Sequence, residues 1–496
     1  MSVQNVVVVG GSPSAWLAAC VLRRAFRHRD LDVLVVDPGA SADAPSGRWT
    51  LPSLRGLHAL VGINENDFLR QTGASYKLAV EHCDWQGPGS HFVHAHAEIG
   101  TGAETLPFYK YLLAQRLHGR AANPEDYSVG AAAARAGKFA RPLSDGPALA
   151  KNFTYAFHLG EAAYLAYVRA HAAKLGVRHI AGTVAEVALR EDGGIDAVIL
   201  EDGARVTGGF FIDCSGAKEV LMQRLPSSGI DDWSQWLPCD RMWSGLATAL
   251  PEPKALTTTV ATDAGWTWSA PLANGRIAGY VYSSAIRDDD AAMRELSAAV
   301  GGQEISAPSL RTLRSGRRRE FWVKNCVALA DTAVTLEPLA GADLHLAQLG
   351  IVNFVELFPL GAGAVEAVEY NRLMGEHADA LRDFTLAHYR LNRRAGSFWN
   401  SVRAKALPDR LAHKLDLFAA SGRIILLDQE SFEEVDWAWV LLGSGLTPAA
   451  LELQTRTLLD PVTDAQVAPM RATVQQLVAS MPRHIDYLSR QGPARP

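Results

Sequence analysis

The sequence predicts an α/β protein with a Rossmann-type strand–helix–strand unit, a β-sheet lobe threaded through it and a mostly helical C-terminal region. Three observations predict this. A continuous apolar run, a glycine turn and a helical pattern open the chain, period-two alternation fills its middle, and helical spacing dominates from residue 363 to about 490. The expected division is a cofactor-binding module with an interleaved β lobe over 1–360, completed by helices over 361–496.

Each element follows from local chemistry. Val6 to Val9 reads as a buried parallel strand, "GGSPSA" as the turn after it, and "AWLAACVLRRAF" as an amphipathic helix. "LDVLVVD" is a second buried strand closed by Asp37, which gives the layout of a dinucleotide-binding unit. "AAYLAYVRAHAAKLG" is a helix with a glycine stop, and the stretch from "VRHIAG" to "FFIDCSG" reads as a β-meander returning to a buried strand. "FWVKNCVALAD" is a strand, "LEPLAGA" a turn, and "DLHLAQLGIVNFVELF" a helix that Asp343 is suited to N-cap. Breaks at "LPDR", "SGR" and "GSGLTP" divide the C-terminal helices.

Composition excludes several classes. The chain has 496 residues, 48% hydrophobic and 20% charged, with net charge −5. That balance gives no bulk attraction to nucleic acid or acidic membrane. Five cysteines without a CxxC pair fit neither a disulfide framework nor a zinc site, and they suit a reducing compartment. No run approaches the ~20 apolar residues of a membrane span, so a cytoplasmic protein is expected. Arg317, Arg318 and Arg319 read as a solvated strand start. His91, His94, His96 and Glu98 lack the partner motif a metal site needs, so no metal is expected.

Aligned on GxGxxG, the first loop places Gly10, Ser12 and Ala15 at the three glycine positions, with Gly11 between. Ser12 adds a Cβ where phosphate should sit, and its hydroxyl offers a donor in exchange. Lys77 lies in the apolar run of "ASYKLAVEHCDW", where a lone lysine ordinarily snorkels to water. In "GWTWSAPL", Trp266 and Trp268 share one face of an extended segment that Pro271 is expected to end. On spacing alone, that pair is a half-buried strand face.

Together these pieces resemble the flavin-dependent tryptophan halogenase family. The resemblance runs through almost the whole chain: the glycine loop, "SYKLAVEHCDW", "DYSVGAAAARAGKFARP", "FFIDCSG", the W-x-W-x-x-P signature in "GWTWSAPL", "GYVYSS", "NCVALADTAVTLEPL" and "MPRHIDYL". It implies a flavin-monooxygenase-like fold holding FAD through Gly10, Gly11, Ser12, Ala15, Asp37, Arg48 and Asp331. It also implies a separate reductase that supplies reduced flavin, since no second nucleotide unit is present for NAD(P)H. In the family, O₂ and halide yield hypohalous acid, which reaches a lysine beside an electron-rich, indole-like arene. Lys77 matches that lysine, and Trp266, Trp268 and Pro271 match the signature near tunnel and flavin. Family precedent points to a homodimer.

The chain departs from the family pattern at the loop usually written E-P-L-E-S-T-G. The family's active-site glutamate falls on Ala340, and the Thr-Gly pair that helps hold halide falls on Ala342 and Asp343, after Gly341. In the flavin strap, Arg48 and Trp49 stand where Glu and Ala are usual. The resemblance therefore implies a halogenase-family oxidoreductase acting through Lys77, with binding of chloride or bromide left open. Two alternatives stay beside it: a halide-independent flavin oxygenase, and a non-catalytic homologue that binds an aromatic ligand or partner. Phe398, Trp399, Trp437 and Trp439 are equally pocket edges or helix core.

Overall fold

The computed structural model describes residues 3–29, 31–39, 46–102, 106–120, 122–226, 228–359, 364–452 and 461–490. The expected division at 360/361 lies outside them. The opening unit forms as predicted. Strand Asn5–Val9 sits between Asp32–Asp37 and Phe210–Asp213, all parallel, in a six-stranded sheet that also takes in Arg178–Ala181 and Cys326–Ala328. All three central strands are buried on both faces, which explains their unbroken apolar runs. Helix Pro13–Ala25 follows the glycine turn, with proline in its first turn.

A seven-stranded sheet forms the second layer, in the order 306–312, 241–247, 275–282, 265–272, 256–261, 79–83, 91–95. Against this sheet lies a small one in which Ala156–Gly160 pairs with Gly47–Trp49 on one side and Ser75–Lys77 on the other. This small sheet sets the strap residues Arg48 and Trp49 close to Lys77. The C-terminal helices Ala364–Leu391, Ser397–Arg403, Asp409–Ser421 and Glu434–Gly443 follow, with the expected breaks near "LPDR", "SGR" and "GSGLTP" and a further one over 392–396.

Four local expectations are corrected. Arg178–Ala181, read as the start of a meander, pairs parallel to Asp32–Asp37 instead, and only 184–207 forms the antiparallel three-stranded sheet. "FWVKNCVALAD" is a tight hairpin, Trp322–Val323 against Cys326–Ala328, turned at Lys324 with φ 55°. Pro271 does not end its strand: Gly265–Leu272 continues through it, opposite Arg276. Arg317 and Arg318 are not solvated, because Asp379 and Asp231 hold the first and Glu219 the second.

Among the described residues, no helix is long and apolar enough to cross a membrane. Nor do any three His, Cys, Asp or Glu side chains there form a metal-binding group.

Candidate functional site

The glycine turn builds one end of the site. Gly10 N donates to Val36 O at 2.9 Å, and Ala15 N donates to Ser12 O at 3.1 Å, which winds the helix start tightly. A Cβ on Gly11 would lie 2.4 Å from Asp37 Oδ1, so only glycine fits there. Ser12 is the N-cap residue, yet its hydroxyl caps nothing, and its buried Oγ has no hydrogen-bond partner. An unpartnered donor at a helix N-terminus is suited to a phosphate oxygen.

Asp37 is the exception in this unit. Its carboxylate already accepts from Trp16 Nε1 at 3.3 Å, from Gly39 N at 2.8 Å and from Arg169, so it is committed to protein donors.

A groove partly open to solvent runs from Ser12 and Ser14 past Arg48 and Asp331 to Glu337, Ala342 and Asp343. Residues far apart in sequence thus meet on one surface. Asp331 pairs with Arg311 at 2.8 Å on the rim. The orphaned Ser12 hydroxyl, the Gly11 contact and the groove that continues from them fit an elongated, phosphate-bearing cofactor such as FAD.

The loop at the far end carries an ion-pair cluster. Arg48 grips Glu161 with a two-pronged contact, Nε to Oε2 at 2.7 Å and an Nη to Oε1 at 2.6 Å, and reaches Asp343 with its other Nη. One guanidinium against two carboxylates leaves this trio a net charge of −1. Burial works against the Arg48 charge, but Asp343 and Glu161 more than restore it. The N-cap expectation for Asp343 is overturned: Ala342 occupies that position, no side chain caps the helix, and the Asp343 carboxylate turns to Arg48. The stronger partner won, since an arginine charge outcompetes a backbone amide for a carboxylate.

Gly341 shows how tightly the strap packs here. Its φ is +63°, and a Cβ would meet the Trp49 ring at 2.4 Å. The Trp49 ring in turn stands edge-on to Trp268, with centroids 4.9 Å apart. Both indole Nε1 groups are buried without an acceptor.

Lys77 lies on the other side of the strap. It is fully buried, so the snorkelling expected of a lone lysine does not occur. Its Nζ donates to Thr50 O at 3.0 Å, and burial lowers the amine to about 7, opposed by Asp436. Burial, with the Lys77 charge as a further cause, also holds His82, His96 and His158 neutral. His94 contacts Asp436 at 2.8 Å, and His96 Nε2 has no partner. The Pro271 carbonyl accepts from Ser75 Oγ at 2.5 Å, which ties the tryptophan strand to the lysine strand.

Two groups escaped the sequence reading. Glu337, next to the altered loop, is buried and accepts at Oε2 from Trp266 Nε1 at 3.2 Å and from the Tyr389 hydroxyl. Glu161 anchors Arg48. The acid of "EPLAGA" was a usable signal for the first, but nothing local marks Glu161. The four aromatic residues left between pocket and core are all buried, and three bond inward: Trp399 Nε1 to Thr262 O, Trp437 Nε1 to Glu430 and Trp439 Nε1 to Ala97 O.

Comparison with known proteins places this geometry. The family profile named tryptophan halogenase matches residues 5–486. Tryptophan 7-halogenase KtzQ from Kutzneria sp. (strain 744) is 30% identical over 445 residues, covering 84% of this chain and 82% of its own. Among solved structures, BrvH, a flavin-dependent halogenase from Brevundimonas sp. BAL3, superposes with TM-score 0.93 at 34% identity, covering 99% of both chains. Xcc4156, a flavin-dependent halogenase from Xanthomonas campestris, gives 0.94 at 32% identity, covering 100% of this chain and 99% of its own.

Proposed function

The chain belongs to the tryptophan halogenase family, and from that premise we propose that it is an FAD-dependent oxidoreductase that halogenates an indole-like arene at Lys77. The observation that carries this reading is a fully buried amine with a lowered pKa, one strap away from a groove that fits the cofactor. Ser12 and the helix behind it would hold the pyrophosphate, with Arg48 and Asp331 farther along the groove. When bound and reduced by a separate reductase, FAD supplies the electrons that activate O₂.

The chain's own residues do the rest. Lys77 offers Nζ hydrogens to an oxygen-bearing oxidant, and Thr50 O fixes the amine's position. Trp49 and Trp268 offer two further unmet N–H donors beside the loop. Full burial of Trp266 and of Lys77 keeps water from this path, which protects a reactive oxidant from side reactions.

A second reading, oxygenation without halide, rests on the loop. Ala340 supplies no carboxylate to take the ring proton, and the Arg48 trio leaves a net negative charge where a halide would bind. Two unit charges ~4 Å apart repel by about 1 kcal/mol in water and about 4 at an effective dielectric of 20. Restoring the family loop with Ala340→Glu, Ala342→Thr and Asp343→Gly is therefore expected to raise bromination at limiting bromide by about tenfold or more. Arg48 keeps Glu161 in that variant. The measurement is brominated indole by mass spectrometry at several bromide concentrations. A folded, FAD-bound triple variant with no gain favours the second reading.

A further inference from the structure

We propose that Glu337 is held as a neutral carboxylic acid whose Oε1 hydroxyl donates a hydrogen bond to the cofactor in the groove. The inference rests on reading the groove as the FAD site.

The argument starts from where protons can sit. Glu337 is 2% exposed, and its two oxygens have unequal surroundings. Oε2 accepts from both the Trp266 indole and the Tyr389 hydroxyl. Oε1 is buried with no partner, and the side chain lines the groove that begins at Ser12. An ionised carboxylate would leave a negative oxygen buried and unmet at Oε1, which is costly. A protonated one resolves the conflict: Oε2, with two donors, is the carbonyl oxygen, and Oε1 carries the hydrogen. Such a group has one donor to spend, and the groove is where it can be spent. The ring carbonyls and nitrogens of a flavin are acceptors of the required kind.

The neighbours favour the neutral form. Tyr389 is held protonated by burial, and so is Cys239, which contacts the Tyr389 hydroxyl. Across the groove, Arg48 is committed to Glu161 and Asp343, and Asp331 is committed to Arg311. Among the described residues, the groups that act on the Glu337 charge are the Tyr389 hydroxyl and the Trp266 indole, with no cation beside them. Burial raises its pKa to about 7, with the Tyr389 and Trp266 bonds pulling the other way.

A ligand that needs the proton binds less tightly once the proton is lost. Above about pH 7, affinity should fall by up to about tenfold per pH unit. Glu337→Gln keeps the carbonyl acceptor and puts an N–H donor at the second position, permanently neutral. FAD binding, followed by flavin fluorescence, is expected to weaken by about tenfold or more between about pH 6 and about pH 9 in wild type, and to stay nearly level in E337Q. In the infrared, the wild-type protein without FAD should show a protonated carboxylic-acid carbonyl band near neutral pH. That band should be absent from E337Q and should move to lower frequency when FAD is added.

Equal pH dependence in the two proteins overturns the inference while leaving FAD binding intact. A wild type that binds no FAD at any pH overturns both. Should E337Q not fold, the wild-type band decides, and its absence, or its indifference to FAD, refutes the proposal.

Discussion

Replacing Lys77 with methionine is expected to abolish halogenated product, by at least about 100-fold, while making the protein more stable. The loss follows from the proposed role of the amine: removal of a group that handles protons in the reaction costs roughly 10²–10⁴ in rate. The gain follows from burial. Lys77 is fully enclosed, and its Nζ donates to Thr50 O. Methionine fills similar volume without a charge to desolvate, and exchanges of buried charge for apolar groups stabilise by about 1–4 kcal/mol.

The gain in stability should depend on pH. Burial lowers the amine to about 7 in the folded protein, from its ordinary 10.5. Between those values the unfolded chain binds a proton that the folded one does not, so wild-type stability rises with pH across this window. Below about 7 both states are protonated and the penalty is constant. Urea denaturation of wild type and Lys77→Met should therefore show the variant's advantage shrinking from pH 7 to 10.5. An advantage that ignores pH would mean that packing, not charge burial, is the cause.

Replacing Arg48 with methionine is expected to destabilise the fold by about 3–5 kcal/mol, the usual cost of stranding a buried charge. The Arg48 and Glu161 side chains are 12% and 8% exposed, and Asp343 is 34% exposed, so Glu161 carries most of that cost. Adding Glu161→Gln should recover most of it, because the stranded charge is then gone. A double-mutant cycle in urea reads the coupling directly. A small loss in the single variant would show that water reaches the cluster and screens it.

Much of the fold was legible because its signals are local. Val6 to Val9 and "LDVLVVD" had to be buried parallel strands, and the structure pairs them with each other and the first also with "FFID". What failed depended on partners distant in sequence. Pro271 stays within its strand because its carbonyl side remains usable and Ser75 holds it there. Asp343 leaves the cap position because Arg48, 295 residues away, offers a stronger bond. Lys77 reads as a snorkelling residue until its strand is seen to pair with Ala156–Gly160 and to leave it fully buried, with Nζ on Thr50 O. The family's motifs marked Lys77 and the altered loop, but only the packing of Trp49 against Gly341 and Trp268 shows strap, loop and tryptophans as one unit.

Halogenation at Lys77 with reduced FAD can be tested directly. The purified protein is incubated with FAD, a flavin reductase, NADH, O₂, bromide and indole, and the products are read by mass. Brominated indole is expected that depends on the reductase and disappears in a folded, FAD-binding Lys77→Met variant. Hydroxylated indole formed without bromide, or brominated indole undiminished in that variant, would contradict it.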